Sequence, residues 1–361
     1  MDDDDSRLKR GRSGEDPDLI SGLPDELLHG ILVRLRSARA AARTSALSRR
    51  WRHVWRHLPE LLLLLDGPDA PPPPAAASFA DAVDGALAGC LAPTLERLTI
   101  SLSADRGLHV PAGRVTISLS ADDRGLRVPA GRVAPWLRFA AGRVAGDLCL
   151  YLPPRVPPGA HAEDAELELP VCGRAKAITL FPQLPWRLRP HPAGMFAALT
   201  ALRIHCCRME GGELSALVCT QCPRLSELSL SVTLVAIADV SIRSDSLLSL
   251  WCRVMNTQRL EVVAPRLEEL TLFHSIQVHV STPKLAKLVW LVGAYNPPNH
   301  RFLDVGRRLW LLQIGMNSAA ASLMQQFDEV DVFKLEACIP QGTAGYERFL
   351  NETKKLPKCG D

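Results

Sequence analysis

One spacing constrains this chain more than any other. An apolar residue is followed three positions later by a second, and two positions after that by a third. The triplet falls at Leu95, Leu98, Ile100; Leu199, Leu202, Ile204; Leu225, Leu228, Leu230; Leu247, Leu250, Cys252; Leu267, Leu270, Leu272; Leu285, Leu288, Trp290; and Leu309, Leu312, Ile314. The last five are consecutive, at intervals of 18 to 24 residues. In an extended strand the last two positions of each triplet point inward and the residue between them faces out. A half-buried strand repeated at so short an interval buries its faces only by stacking turn upon turn, so the pattern predicts a solenoid.

L-x-x-L-x-L is the strand signature of leucine-rich repeats, which want Asn or Cys three positions past the last core residue. The chain offers Ser103, Cys207, Thr233, Ser275 and Asn317 there, whereas Met255 and Gly293 break the rule and predict irregular repeats. Intervals this short leave little room for a helix on the return leg. Leu260-Glu261-Val262 and Val278-His279-Val280 lie midway between triplets and alternate as strands do. The expected arc therefore has strands on its concave face and short strands or loops on the return face.

Between Leu102 and Phe196 the rhythm weakens. LTISLSADRGLHVPAGRV, starting at Leu98, is followed by VTISLSADDRGLRVPAGRV, starting at Val115, a tandem duplication with one added residue, Asp123. The second copy is expected to add a strand beside the first, with Ile117 and Leu119 as its core; a surface loop is the competing outcome. Beyond it Leu148, Leu150, Leu152, Leu167, Leu169, Ile178 and Leu180 alternate like strands of degenerate repeats.

Ahead of the repeats, residues 18–59 carry a helical pattern. Pro24, Leu27, Leu28, Ile31, Leu32 and Leu35 follow three-and-four spacing, with Pro24 in the first turn and Asp25 and Glu26 at the positive end of the dipole. Leu47, Trp51, Val54 and Trp55 mark another short helix, with Ser45 and Ser48 as caps. Forty-odd residues cannot bury a full core. Their apolar stripes need a partner, either another protein or the rest of the chain. Residues 1–17 read as a disordered polar tail, acidic at Asp2 to Asp5 and then basic, a solvated segment or a weak nuclear signal. Pro71 to Pro74 form a stiff linker, and Phe79, Val83, Leu87 and Leu91 an amphipathic helix.

Leu23-Pro24-Asp25-Glu26-Leu27-Leu28, Ile31-Leu32, Ala42-Arg43-Thr44-Ser45, Leu47-Ser48-Arg49-Arg50-Trp51-Arg52 and Trp55 resemble the F-box of plant F-box/leucine-rich-repeat proteins. The resemblance extends to an FBD-like C-terminal portion around Phe327 to Val332, Ile339 to Gly342 and Tyr346 to Lys358. It implies a substrate-recognition subunit of a SKP–cullin–F-box ubiquitin ligase. Leu23, Pro24, Leu27, Leu28, Ile31, Leu35, Leu47, Trp51 and Trp55 would then dock a SKP-type adaptor, and through it cullin. The segment Leu35-Arg36-Ser37-Ala38-Arg39 departs from the family, which usually carries a proline turn there. Relatives continue past this C-terminal portion with another strand, whereas this chain stops at Asp361. The expectation is therefore a truncated end, with a helix over 345–356 serving as the cap.

Composition sets the remaining bounds. Net charge is +3, so no global field argues for nucleic acid. Between Leu27 and Pro59, however, eight arginines occur with no Asp or Glu, which suits an acidic partner surface or a solvated face. No segment approaches the roughly 20 apolar residues of a membrane span. The ten cysteines are irregularly spaced and no signal peptide precedes them, which predicts a reducing compartment, nucleus and/or cytoplasm. Cys206, Cys207, Cys219 and Cys222 are the one metal-like group; adjacent cysteines rarely ligate a single ion, so structural thiols are expected and no cofactor. Nucleophile, phosphate-loop and zincin motifs are missing, and no enzymatic activity is expected.

The expected fold class is α+β: a disordered tail over 1–17, a three-helix F-box over 18–59, linker and helix over 60–94, and a solenoid over 95–361. The repeats would hold an unidentified target protein. The outward triplet residues are Thr99, Arg203, Ser229, Trp251, Thr271, Val289 and Gln313. Trp251, flanked by Ser229 and Thr271 with Arg203 nearby, marks the expected hot spot. The competing outcome is a one-residue slip near Met255 that buries Trp251 and exposes Cys252. A repeat scaffold that assembles partners without any ligase is the alternative function.

Overall fold

The triplets build one parallel sheet. All seven are buried, with no member more than 3% exposed, and the last two residues of each lie in a strand. The computed structural model of the chain describes residues 22–35, 37–47, 49–64, 79–102, 128–152, 165–182, 186–273, 276–291, 295–315, 323 and 325–336.

The strands are β1 (Glu60–Leu64), β2 (Leu95–Ser101), β3 (Val144–Tyr151), β4 (Glu166–Leu169), β5 (Ala177–Phe181), β6 (Arg187–Pro190), β7 (Ala201–Met209) and β8 (Glu227–Arg243). They continue with β9 (Ser249–Val263), β10 (Glu269–Phe273), β11 (Gln277–Ser281), β12 (Lys287–Trp290), β13 (His300–Leu303), β14 (Arg308–Gly315) and β15 (Glu329–Glu336). The concave face runs β1-β2-β3-β5-β7-β8-β9-β10-β12-β14-β15. One core row crosses it in register: Leu61, Leu98, Leu148, Ile178, Leu202, Leu228, Leu250, Leu270, Leu288, Leu312 and Phe333.

On the return leg β4 pairs with β6, and β11 pairs with β13 and β9. The expected return strands around Leu260 and Val278 are therefore present, Val278 opposite Leu260. Leu167 and Leu169 are buried in β4 on this return side, not among the concave strands. β8 and β9 are long enough to serve both faces, pairing at Leu228↔Leu250 and again at Val240↔Leu260. At the entry to successive turns one carbonyl accepts two N–H groups from the next turn. Thr200 and Ala201 donate to Lys176, Ser226 and Glu227 to Thr200, Leu248 and Ser249 to Ser226, Glu268 and Glu269 to Leu248. Each turn is thus tied to its neighbour by backbone as well as core.

One boundary differs from expectation. The leucine run after Pro59 forms β1, which pairs with β2 from Glu60↔Arg97 to Leu64↔Ser101. The sheet therefore begins at Glu60, ahead of the start expected at Leu95. Ile117 and Leu119, the expected core of the second copy of the duplicated unit, lie outside the described residues. β2, the head of the first copy, pairs with β1 on one edge and β3 on the other. The tail of the second copy, Val128-Pro129-Ala130-Gly131-Arg132-Val133, leads into a helix.

Helices occupy the early return legs. α1 (Asp25–Arg34), α2 (Ala38–Arg43) and α3 (Trp51–Val54) form the N-terminal unit. α4 (Phe79–Gly89) buries Ala80, Val83 and Leu87, as its spacing predicts, although Leu91 falls past its end and is exposed. α5 (Ala130–Arg143) buries Val133, Trp136, Leu137 and Ala140, a stripe at helical spacing despite Pro135 within it. Arg132 reaches Asp81 and Asp84 on α4, and Trp136 Nε1 donates to Asp84 Oδ1. α6 (Gly211–Ala216) runs into a π-turn over Leu217–Gln221.

Met255 and its neighbours carry the irregularity that the repeat pattern predicts. Register shifts between Thr233 and Ala238, and Asn256 has a positive φ of 62°. Asn256 Nδ2 donates to Leu234 O at 3.1 Å, so the side chain that bonds the preceding turn stands one position late. The slip therefore comes after the triplet. Leu250 and Cys252 stay buried and Trp251 faces out, half-buried.

The tail, the Pro71 to Pro74 linker, Ser103, Ser275, Gly293, Asn317 and the expected helix over 345–356 lie outside the described residues.

Candidate functional site

Two surfaces concentrate the residues that the sequence singles out. The first is on the N-terminal helices. Leu28, Leu32, Ala41, Trp51, Val54 and Leu58 form a small core separate from that of the solenoid, with Leu23, Val33 and Trp55 packed against it. Leu27, Ile31 and Leu35, four residues apart on the opposite side of α1, are 55%, 42% and 43% exposed, and Leu47 is 70% exposed. Such a row on a closed unit is apolar surface without a structural use inside it. Arg34, Arg43 and Arg49 are also exposed.

The nine residues expected to dock an adaptor thus divide. Leu27, Ile31, Leu35, Leu47 and Pro24 are at the surface and Leu23 is half-buried. Leu28, 0% exposed, and Trp51, 5% exposed, hold the unit together and offer a partner nothing to touch. Trp55 is half-buried at the junction with α4, where a Cβ on Gly89 would stand 2.9 Å from its ring. Arg56 Nε donates to Gly89 O at 2.8 Å, and Leu91 N donates to Arg56 O at 2.7 Å. Helical spacing cannot separate the two sides of so short a unit, because both carry leucines.

Local capping explains how α1 turns into α2 without a proline. Ser37 is extended and its Oγ accepts from Ala40 N at 3.2 Å, a side-chain N-cap. Of the expected caps of the third helix, Ser48 lies outside the described residues, and Ser45 lies within a 3-10 turn over Thr44–Ala46. α3 starts at Trp51 behind Arg50, which is already helical and makes no side-chain cap.

The second surface is the outward row of the concave sheet. Thr99, Cys149, Thr179, Arg203, Ser229, Trp251, Thr271, Val289, Gln313 and Lys334 stand opposite one another across consecutive strands. All seven outward residues named from the triplets belong to it, and Arg203, Ser229, Trp251 and Thr271 are adjacent. Val289 is nevertheless buried. Arg203 is held by Glu227 at 2.7 Å.

Two residues further along the strands, rings continue the surface. Tyr151 packs on Phe181, Phe181 stacks on His205 with centroids 4.5 Å apart, His205 meets Trp251 at 5.6 Å, and Trp251 meets Phe273 at 4.9 Å. His205 is buried and bonded to Ser229 Oγ at 3.1 Å. Burial, with the nearby Arg203 guanidinium adding to it, pushes its pKa down to about 4, so the ring is neutral at physiological pH. A bulge at Cys206, with a positive φ of 57°, sets His205 and Cys207 on opposite sides of the sheet. The triplet spacing does not single out His205. Its signal was parity, since it lies two positions past outward Arg203.

Among the described cysteines, Cys90, Cys172, Cys207, Cys222 and Cys252 are buried. Cys207 sits buried at the repeat's Asn/Cys position, and burial raises its pKa, as it does that of Cys222 to about 12. Cys219 Sγ donates to Ser241 O and accepts from Arg243 N, pinning the π-turn to β8. Among the described residues no group of three or more His, Cys, Asp or Glu is placed to hold a metal ion, and no helix is long and apolar enough to cross a membrane.

Residues 133–300 match the family model described as FBD-associated F-box protein At5g56370, LRR repeats. The F-box protein At5g03100 of Arabidopsis thaliana is 33% identical over 94 residues, 26% of this chain and 27% of its own length. The F-box/LRR-repeat protein At3g03360 of the same plant is 56% identical over 54 residues, 15% of this chain and 11% of its own. F-box/LRR-repeat protein 25 is 54% identical over 44 residues, 12% and 17% respectively. The matched segments therefore span well under two thirds of these relatives. No solved structure matches the chain.

Proposed function

We propose that this chain, a member of the plant F-box/leucine-rich-repeat family, is a substrate-receptor subunit of a SKP–cullin–F-box ubiquitin ligase. The N-terminal helices bind the adaptor, and the concave face of the repeats holds the target. Bound target is then at high effective concentration near the charged conjugating enzyme, which other subunits supply. On this reading the chain performs no catalysis, and it acts in the nucleus, the cytoplasm or both.

The observation that carries the reading is the row Leu27, Ile31 and Leu35. A helical unit with its own closed core exposes leucines and an isoleucine along one side of α1. Exposed arginines nearby suit an acidic adaptor surface, and oppositely charged rims speed association. Ile31→Asp puts a charge into that face without touching the core, and is expected to cost on the order of 2 kcal/mol of adaptor affinity, about thirty-fold. The assay is co-purification of adaptor with the full chain, with Ile31→Asp, and with residues 1–59 removed. Undiminished adaptor capture by folded Ile31→Asp sinks the docking face. Capture that survives removal of 1–59 sinks the receptor reading in favour of a scaffold.

A further inference from the structure

The centre of the concave face has a composition that selects one kind of occupant. Trp251 lies between Ser229 and Thr271 in register, and two residues along the same strand Arg253 lies between Ser231 and Phe273. That spacing is about 7 Å, since a strand advances about 3.4 Å per residue. The Trp251 and Phe273 rings touch, giving a half-buried apolar floor. Met255, two residues past Arg253, extends the apolar surface and is 38% exposed.

Charge on this face is almost all consumed internally. Glu227 is paired with Arg203, and Glu269 with Lys287 at 3.1 Å. Arg253 is exposed and has no ion-pair partner among the described residues. It is therefore a cation beside an aromatic floor, with Ser231 and Phe273 opposite it in register and, among the described residues, no carboxylate paired with it. A single guanidinium is too little charge to hold a nucleic-acid backbone, and Glu227 and Glu269 on the same face would repel one. It is matched to a single carboxylate, which guanidinium can grip in two-point geometry.

We propose that this patch binds an extended polypeptide segment in which a large apolar side chain, aromatic or leucine-like, stands two residues from an acidic one, the spacing that puts both on one face of an extended chain. The apolar side chain lies on Trp251 and Phe273, and the carboxylate two residues along pairs with Arg253. The inference rests on the reading that the concave face holds the target, and it names the target's recognition element. His205 flanks the floor from β7: buried, neutral and tied to Ser229, it adds no positive charge near Arg253 at physiological pH.

The test is retention of the purified full chain on an array of extended synthetic peptides that present Phe or Leu with Asp, Asn or Lys two positions on. The wild-type chain is expected to favour the Asp series over the Lys series by roughly ten-fold or more. Arg253→Glu should reverse that order, and Trp251→Ala should weaken all series together. Melting of each variant is followed in parallel, and Arg253→Gln, which loses the order without reversing it, serves as a second variant if Arg253→Glu unfolds. No peptide retention, equal retention of Asp and Lys series, or an unchanged order in both Arg253 variants overturns the inference. Adaptor capture on the same preparations keeps the two readings apart. Adaptor bound without peptide selection removes this inference alone, whereas peptide selection without adaptor removes the receptor reading alone.

Discussion

Trp251 and Cys252 are neighbours in sequence on opposite sides of one strand, so the same substitution at each should give different thermodynamics. Cys252 is 1% exposed and lies in register between Leu230 and Leu272. An aspartate there has no partner, so it must remain protonated. Keeping a carboxyl with an ordinary pKa near 3.9 neutral at pH 7 costs about 4 kcal/mol, before any loss from burying a polar group. Cys252→Asp should therefore be destabilised by on the order of 4–6 kcal/mol at pH 7, with the penalty shrinking steadily as pH falls toward 4. Trp251→Asp stays at the surface and loses two ring contacts, with His205 and Phe273, each worth about 0.5–1.5 kcal/mol. Its cost should be about 1–3 kcal/mol and nearly independent of pH. Urea unfolding of both variants at pH 7 and pH 5, followed by far-UV circular dichroism, measures the difference. Equal losses, or a pH-dependent loss at Trp251 and not at Cys252, would refute the strand's inward and outward assignment.

Three further outcomes follow from contacts elsewhere. Gly146 lies where β3 passes a register shift against β2, and a Cβ there would stand 2.1 Å from the Glu96 carbonyl oxygen; Gly146→Ala should lose several kcal/mol, read as a large drop in urea midpoint, because backbone must move. Trp51→Ala should cost about 3–5 kcal/mol in stability of the N-terminal helices, read by hydrogen exchange at α1, and reduce adaptor binding only through that loss. His205 has its folded pKa near 4, below its unfolded value near 6.5, so protonation favours the unfolded chain. Its contribution is complete above about pH 6.5 and is lost as pH falls toward 4, about 2 kcal/mol between pH 7 and pH 5. In His205→Gln that part of the pH dependence should vanish from urea midpoints.

What the sequence determined by itself is the repeat and its inside-outside alternation. Leu98 and Ile100, Leu228 and Leu230, and Leu270 and Leu272 sit two apart, and a strand has no choice but to aim such residues to one side. The outward positions followed from that alone, with Arg203, Ser229, Trp251 and Thr271 in one row. What needed tertiary structure were the decisions that depend on neighbours in space. Leu27 and Leu28 are one residue apart in a helix where both faces carry leucines. Only the packing of α1 on Trp51 and Val54 makes Leu28 core and leaves Leu27 exposed. The helix over Ala130–Arg143 was visible as Val133, Trp136, Leu137 and Ala140, yet Pro135 and the surrounding strand rhythm masked it. His205 joins Trp251 only because a bulge at Cys206 and the parallel register bring strands 24 residues apart in sequence side by side at His205 and Ser229. Periodicity reports the direction of a side chain within its own element. Which surface that side chain meets is set by the elements stacked against it, and those contacts join residues too distant in sequence for any local pattern to register.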